Sequence, residues 1–323
     1  MTEEKKPLII LAGPTAVGKT AASIGLAKAL DGEIISADSM QVYRGMDIGS
    51  AKIRPEEMQG VPHHLIDVLD PTENFDVTRF QQMAKQAMSE IYGRGHIPIL
   101  VGGTGFYIQS VLYDIDFTDS GAEDGYRAEL EQLSAEKGAE YLHEMLRKCD
   151  PESAEAIHAN NQKRVIRALE FYHQTGKPIS VHNKEQKQKE SPYRFCYFVL
   201  DNDRAVLYDR IDRRVDAMME AGLLEEVRRL KAAGLRATDV SMQGLGYKEL
   251  FPYLSGEGTL EDAVYTLKRD TRHFAKRQLT WFHHVRDITW IPVQNYDNDP
   301  EKIVEAMLAF CKEKGIEKRT KNE

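Results

Sequence analysis

Residues 8–30 read "LIILAGPTAVGKTAASIGLAKAL", and this stretch decides the fold. It begins with an unbroken apolar run that ends at a glycine, which is typical of a strand buried on both faces of a parallel sheet. From Gly18 onward the apolar residues recur at helical spacing. Residues 13–20 lie between the two and match G-x-x-x-x-G-K-[ST], a pattern that binds phosphate when a strand precedes it and a helix follows. The stretch therefore predicts an α/β protein with a phosphate-binding loop (P-loop).

The loop offers several kinds of phosphate ligand. Its glycines let successive backbone N–H groups point at one anion, and the helix N-terminus adds positive partial charge. Lys19 supplies a cation, and the Thr20 hydroxyl is a candidate ligand of Mg²⁺. The predicted diphosphate-binding residues of the loop are Gly13, Pro14, Thr15, Ala16, Val17, Gly18, Lys19 and Thr20. The motif by itself predicts a diphosphate or triphosphate without saying which.

Further strands and helices alternate along the chain. The predicted strands are "EIISADS" (33–39), "HIPILVGGTG" (96–105), "YRFCYFVL" (193–200) and "DITWIPVQ" (287–294). Helical patterns cover residues 104–113, 203–232 and 259–286. Alternation of this kind favours a parallel sheet with right-handed crossovers. We expect a P-loop NTPase-like parallel sheet flanked by helices.

Residues 115–191 break the alternation, because they contain helical patterns and no convincing strand. We interpret them as an inserted all-helical subdomain. The core then consists of residues 1–114 and 192–323. The stretch "HNKEQKQKESP" (182–192) favours a flexible return to the core, and the tail from Cys311 is expected to be disordered.

Composition is that of an ordinary soluble protein, with 41% apolar and 29% charged residues. No apolar run approaches the ~20 residues that span a bilayer, and the N-terminus "MTEEKKPLII" lacks the basic region of a signal peptide. We expect a cytoplasmic chain with no membrane partner.

The net charge is −8, but residues 264–286 carry six Lys or Arg and one Asp. Such a stripe suits either a nucleic-acid backbone or a solvated helix face.

One acidic residue near the end of a predicted strand is a candidate for a role in the site. P-loop proteins that hydrolyse ATP usually have a second strand ending in Asp, whereas "IPILVGG" ends in glycines. The acid at a strand end is Asp38, in "IISADSMQ". It is either a partner of a metal site or a general base at the carboxyl edge of the sheet, where α/β proteins place their sites.

Six segments together resemble one family. "GPTAVGKT", "ISADSMQVYRGMDIGSAK", "VGGTGFYIQSVL", "RVIRALE", "GLGYKEL" and "AKRQLTWF" occur in the order found in bacterial tRNA dimethylallyltransferases, also called tRNA isopentenyltransferases. The resemblance implies transfer of a dimethylallyl group from dimethylallyl diphosphate to N6 of the adenosine on the 3′ side of the tRNA anticodon, with Mg²⁺ as cofactor. It also implies that Asp38 is the general base, that Thr104 lies near a flipped adenine, and that Arg214 contacts the diphosphate.

Helical spacing supports the assignment of Arg214. Arg213 has Asp209 four residues before it and Asp216 three residues after it, whereas Arg214 has no carboxylate at these distances. Arg210 lies one turn earlier on the same face and also lacks one. Two unpaired arginines suit a phosphate, so Arg210 joins the predicted diphosphate site.

The predicted RNA-binding residues fall in four regions, one of which is the helical insertion at 115–191. The resemblance implies contacts from the following: Ser39, Met40, Gln41, Arg127, Gln162, Lys163, Arg164, Val165, Ile166, Gly244 and Gly246. Basic spacing adds Arg167 in the insertion and, in the 264–286 helix, Lys268, Arg272, Lys276 and Arg277, followed by Gln278. We interpret Trp281 as a core residue. The expected partner is the anticodon stem-loop of a tRNA, bound by a monomer.

Two other function classes share part of this pattern. An adenylate prenyltransferase, which acts on a free nucleotide, would use the P-loop and Asp38 but would need neither the insertion nor the basic helix. An RNA-binding P-loop ATPase or kinase would need a metal-binding Asp after "IPILV", and the sequence has none there.

Overall fold

All six strands of the sheet run parallel, in the order β3-β2-β4-β1-β5-β6. The computed structural model describes residues 5–117 and 125–318. The strands are β1 Pro7–Ala12, β2 Gly32–Ser36, β3 His63–His64, β4 Ile97–Gly102, β5 Arg194–Asp201 and β6 Thr289–Pro292. This confirms the predicted α/β class with a parallel sheet.

The apolar run of the opening stretch forms the centre of the sheet. β1 pairs with β4 through Ile9 and Ile99 and with β5 through Ile9 and Cys196. Residues 8–12 are fully buried, as expected for a strand covered on both faces. Because β2, β4 and β1 are neighbours and parallel, the loops after them meet at one edge of the sheet.

The described residues form thirteen α-helices. Those before the insertion are α1 Lys19–Leu30, α2 Val77–Gly93 and α3 Gly105–Leu112. Those of the insertion are α4 Tyr126–Lys137, α5 Ala139–Cys149, α6 Pro151–Ala156, α7 Gln162–Thr175 and α8 Ile179–Gln188. Those after it are α9 Arg204–Glu220, α10 Leu223–Ala232, α11 Leu250–Leu254, α12 Leu260–Phe282 and α13 Pro300–Glu313. Within the described ranges, no helix has both the length and the apolar character needed to cross a membrane.

Three details differ from the sequence-based expectation. The helix expected over 203–232 is two helices, because Gly222 adopts a left-handed conformation with φ of 98°. Much of the expected flexible return, up to Gln188, belongs to α8. The tail is helical through Glu313, and Ile316 is buried; residues 319–323 lie outside the described ranges.

The chain divides into two compact units, one formed by Tyr113–Ser191 and the other by the residues before and after it. The smaller unit has its own apolar core, in which Leu130, Leu142 and Leu169 are buried. Asp150 joins two of its helices. Its carboxylate accepts hydrogen bonds from the backbone and hydroxyl of Ser153 and from those of Ser180. The larger unit contains the whole sheet.

Candidate active site

A cavity of about 780 Å³ opens at the carboxyl edge of the sheet, and all of its lining residues belong to the larger unit. It brings together residues that the sequence analysis selected from distant segments. These lining residues are Thr15, Ala16, Val17, Gly18, Lys19, Thr20, Asp38, Ser39, Met40, Gln41, Thr104, Arg210, Arg214, Gly244, Gly246, Arg277 and Gln278.

The P-loop has the curled backbone that its motif predicts. Gly13 has φ of 145°, and a Cβ there would lie 2.6 Å from the carbonyl oxygen of Leu200, so only glycine fits. Gly18 has φ of 107° at the start of α1. The Nζ atom of Lys19 donates hydrogen bonds to the carbonyl oxygens of Gly13 (2.9 Å) and Pro14 (2.7 Å). The lysine is therefore held by its own loop.

The cavity contains more positive than negative charge at the P-loop. Burial and the nearby Arg214 guanidinium lower the pKa of Lys19 to about 7, and Asp38 opposes this shift. Burial likewise lowers the pKa of Arg214, again opposed by Asp38. Both cations are desolvated and near each other, so an anionic ligand would stabilise their charged forms.

Asp38 lies two residues after the end of β2, and one of its oxygens fixes its position. Its Oδ1 atom accepts hydrogen bonds from the backbone N–H groups of Met40 (2.8 Å) and Gln41 (3.3 Å). Among the described residues its Oδ2 atom has no hydrogen-bond partner. The carboxylate is thus held by a local turn and still has an oxygen available in the cavity.

Thr104 is brought next to the Asp38 turn by the close approach of β4. Its backbone N–H donates to the carbonyl oxygen of Ala37 at 3.4 Å. A Cβ at Gly102 would lie 2.2 Å from the same oxygen, so the glycine is required for this approach. Asp38 and Thr104 therefore follow neighbouring strands and line one cavity.

The two arginines of α9 differ in their partners. In the described part of the chain, Arg214 makes no hydrogen bond or ion pair, whereas Arg213 pairs with Asp209 as its spacing predicts. Arg210 donates to Oδ1 of Asn298 at 2.9 Å, which is an amide partner and not a carboxylate. The partner comes from a segment 88 residues away, which helical spacing cannot reveal. Since Asn298 is neutral, the charge of Arg210 remains available to a ligand.

Gln278 is an internal link between two loops rather than an open RNA-binding group. It is 6% exposed, and its Oε1 accepts the N–H of Thr15 while its Nε2 donates to the carbonyl oxygen of Gly103, both at 3.0 Å. It therefore holds the P-loop against the loop after β4. The spacing of Leu267, Thr271 and Gln278 along one face of α12 is the sequence signal for this inward-facing surface.

The predicted basic stripe of α12 is largely paired within the protein. Lys268 forms an ion pair with Asp216 at 2.6 Å, and Arg272 with Asp212 at 2.5 Å. Both acids are on α9, and their four-residue spacing matches that of the bases. Both bases are therefore neutralised within the protein, and their assignment to RNA binding stays a prediction. Lys276 and Arg277 remain exposed.

Trp281 was expected to be a core residue, but its side chain is exposed. It is 40% exposed, and its ring meets that of Phe106 edge to face at 6.1 Å. A Cβ at Gly105 would lie 2.2 Å from the indole, so the ring packs closely on the start of α3. This contact covers one side of the indole and leaves the rest exposed.

Glycine is favoured at positions 244 and 246 for different reasons. A Cβ at Gly244 would lie 2.5 Å from the sulfur of Met40, so this loop lies directly against the segment that follows Asp38. Gly246 has φ of 95°, which favours glycine. Ser39, Met40 and Gln41 all line the cavity on that side.

The predicted RNA-binding residues of the smaller unit differ in their exposure and in their pairing. Gln162, Lys163 and Arg164 are exposed in the first turn of α7. Val165 and Ile166 are buried in the core of the unit, so their side chains are not available to a ligand. Arg127 forms a two-point ion pair with Glu170, at 2.8 and 2.5 Å. Arg167 is partly buried in the same helix.

Comparison with known proteins assigns the family. A profile described as IPP transferase matches residues 41–285. A tRNA dimethylallyltransferase of Lachnoclostridium phytofermentans is 58% identical over 311 residues, which cover 96% of this chain and 99% of that protein. One of Bacillus licheniformis is 53% identical over 306 residues, which cover 94% of this chain and 97% of that protein.

The fold of the chain is also similar to solved structures of such transferases. The crystal structure of a tRNA isopentenylpyrophosphate transferase from Bacillus halodurans has a TM-score of 0.72 at 47% identity and covers 97% of this chain and 98% of its own. A eukaryotic dimethylallyltransferase, captured crystallographically while acting on tRNA, has a TM-score of 0.84 at 31% identity, covering 98% of this chain and 81% of its own. The chain therefore belongs to the IPP transferase family, the family of the tRNA dimethylallyltransferases.

Proposed function

We propose that this chain transfers a dimethylallyl group from dimethylallyl diphosphate to N6 of the adenosine on the 3′ side of the anticodon of a tRNA, and that diphosphate is released. One observation carries the proposal beyond family membership. A single cavity joins a cationic phosphate loop, an apolar wall and a carboxylate with a free oxygen. These three features match the leaving group, the transferred group and the amine proton of this reaction.

The cationic end suits the diphosphate. As the allylic C–O bond breaks, negative charge grows on the leaving oxygen, and fixed donors there lower the barrier. The P-loop N–H groups, Lys19 and Arg214 are such donors, with Arg210 beside them. A P-loop is suitable without ATP hydrolysis because the group it holds is already a diphosphate.

The apolar wall suits a short prenyl chain. Val215 and Met218 on α9 and Leu267 and Phe274 on α12 line the same cavity as Arg214. Met218 lies one helical turn beyond Arg214, a rise of about 6 Å along the helix axis. This distance is comparable with the length of a five-carbon chain extending from the diphosphate.

Asp38 is the proposed general base. The lone pair of the adenine amine is delocalised into the ring, so the amine needs close positioning and a base. The bond from N6 to the allylic carbon forms, the carbon–oxygen bond to diphosphate breaks, and Asp38 accepts the N6 proton. Thr104, beside Asp38, would hold the adenine. The base must leave its stack to reach this cavity.

The residues present fit a magnesium ion carried largely by the substrate. In the described ranges, no group of three or more His, Cys, Asp or Glu side chains could hold a metal, whereas the exposed Thr20 hydroxyl follows Lys19 in the P-loop. Mg²⁺ commonly binds through one or two protein oxygens together with substrate phosphates. When bound, the ion would neutralise charge on the diphosphate, with Thr20 as its protein ligand.

Each unit has exposed basic residues suited to an RNA backbone. Lys163 and Arg164 lie at the start of α7 in the smaller unit, and Lys276 and Arg277 lie on α12 in the larger one. We propose that both sets contact the anticodon stem-loop and that the enzyme acts as a monomer. A tRNA substrate would place the reaction in the cytoplasm.

One assay tests the proposal against its alternatives. The chain is incubated with Mg²⁺ and labelled dimethylallyl diphosphate, with tRNA or with AMP, and separately with ATP. We expect label on a tRNA whose anticodon is followed by adenosine, and none on a transcript carrying guanosine there. Label on AMP alone would support an adenylate prenyltransferase. ATP turnover without label transfer would support an ATPase or kinase and contradict the proposal.

A further inference from the structure

A buried carboxylate outside the reacting part of the cavity holds one of its walls. Glu226, in the first turn of α10, is 4% exposed. Its Oε2 accepts the backbone N–H groups of Asp47 and Ile48, each at 2.9 Å. Its Oε1 accepts the N–H of Gly49 at 3.0 Å and the Tyr247 hydroxyl at 2.8 Å. Four donors converge on this one side chain.

The four donors come from residues 47–49 and 247, which lie within or directly beside two segments that line the cavity. Residues 49–51 and 244–246 both belong to its wall. Tyr247 is fully buried, and a Cβ at Gly49 would lie 2.6 Å from its ring. The Glu226 carboxylate therefore fixes the two segments against each other at a point where the backbone and ring are already in close contact.

A chain of hydrogen bonds leads from this anchor to Asp38. The backbone carbonyls of Ser50 and Ala51 accept weak hydrogen bonds from Nε2 of Gln41, at 3.5 and 3.4 Å. Oε1 of Gln41 accepts the Ser36 hydroxyl at 3.0 Å, and the backbone N–H of Gln41 donates to Asp38. A shift of residues 49–51 would therefore displace the Gln41 side chain, and with it the backbone N–H of Gln41 that donates to Asp38.

We infer that Glu226 is a positioning residue for prenyl transfer: it sets the place of the 47–51 segment, and through Gln41 the place of Asp38, relative to the P-loop. The inference rests on the proposed function. The P-loop has a separate link through Gln278, so Glu226 governs the acceptor side of the reaction and not the grip on the diphosphate.

The test compares Glu226→Gln with Glu225→Gln, its exposed neighbour, which pairs with Arg228. The amide has the shape of the carboxylate but brings an N–H₂ group where one carboxylate oxygen accepted two donors, which leaves at least one backbone N–H unpaired. We expect kcat for tRNA prenylation to fall about 10–100-fold, since small misplacements of reacting groups have such effects. We expect the KM for dimethylallyl diphosphate to stay within about twofold, whereas general loosening of the site would change both.

Amide hydrogen exchange gives a readout that does not depend on activity. Exchange at residues 47–49 should be at least about tenfold faster in Glu226→Gln than in Glu225→Gln, because the protecting acceptor is disturbed. Tyr247→Phe removes one donor of four and should lower kcat less, about three- to tenfold, again with KM unchanged. If Glu226→Gln does not fold, Tyr247→Phe decides the question by the same criteria.

Three results would overturn the inference: control-level kcat in folded Glu226→Gln, a KM that rises as kcat falls, or unchanged exchange at residues 47–49. Failure of the unmodified enzyme to prenylate any tRNA would instead contradict the proposed function. The exchange measurement would still test the anchor in that case.

Discussion

Arg214 lies beside Lys19 in the cavity, close enough for its charge to lower the pKa of the lysine, and among the described residues no carboxylate is paired with the arginine. Two desolvated cations, offset only in part by the Asp38 carboxylate, raise the free energy of the ligand-free site. A diphosphate would reverse this penalty, so the arrangement favours binding of an anion over the empty state. The electrostatics of the loop therefore make ligand affinity depend on pH.

Diphosphate affinity should fall as the pH rises above about 7. Lys19 in the free enzyme has its pKa lowered to about 7, and a bound anion raises that pKa again. Above pH 7 the free lysine is neutral, so binding must take up a proton, and the Kd should rise up to about tenfold per pH unit. Calorimetric titration with inorganic diphosphate from pH 6 to 9 measures this. Lys28→Met, on the exposed face of α1, should keep the dependence; a Kd constant over this range would contradict it.

Asp38→Asn should lower kcat by roughly 10²–10⁴-fold, the range for loss of a general base. The amide oxygen can still accept the N–H groups of Met40 and Gln41, so the turn should keep its shape and tRNA affinity should change little. Single-turnover prenylation and a filter-binding assay measure the two quantities. Near-normal turnover in Asp38→Asn would remove this residue from its proposed role.

The sequence predicted the sheet and much of the cavity because these depend on local patterns. The apolar run before Gly13 indicates a buried strand, and the position of Asp38 after β2 follows from the topology of parallel sheets. Partners from distant segments could not be predicted. The contacts of Arg210 with Asn298 and of Lys268 with Asp216 depend on how helices and loops pack. Helical spacing within one segment does not encode that packing. The catalytic and binding roles of these side chains stay predictions until tested.

Arg214→Met should impair prenyl transfer, whereas Arg213→Met should not. Arg214 lines the cavity, while Arg213 is exposed and pairs with Asp209 on the same helix. Loss of one donor that stabilises developing charge typically lowers kcat by roughly 10²–10³-fold. Steady-state kinetics of both variants measure this difference. Equal activities would show that Arg214 contributes no charge to the leaving group.

The salt dependence of tRNA binding should identify which basic residues contact the RNA backbone. Lys163 and Arg164 are exposed, and no ion pair involves either of them in the described part of the chain. Changing both to Ala should reduce the slope of log K against log salt concentration by about 1.4 to 1.8, the value for two lost phosphate contacts. Lys177 and Lys184 lie in the same unit but pair with Glu185 and Glu152.

The matched control is therefore Lys177→Ala with Lys184→Ala, which removes the same formal charge. Because these lysines are already neutralised by carboxylates, the slope should change by less than about 0.5. Fluorescence anisotropy with an anticodon stem-loop RNA between 50 and 300 mM salt gives both slopes. Equal slopes for the two double variants would mean that net charge, and not the position of Lys163 and Arg164 at the start of α7, determines the attraction to RNA.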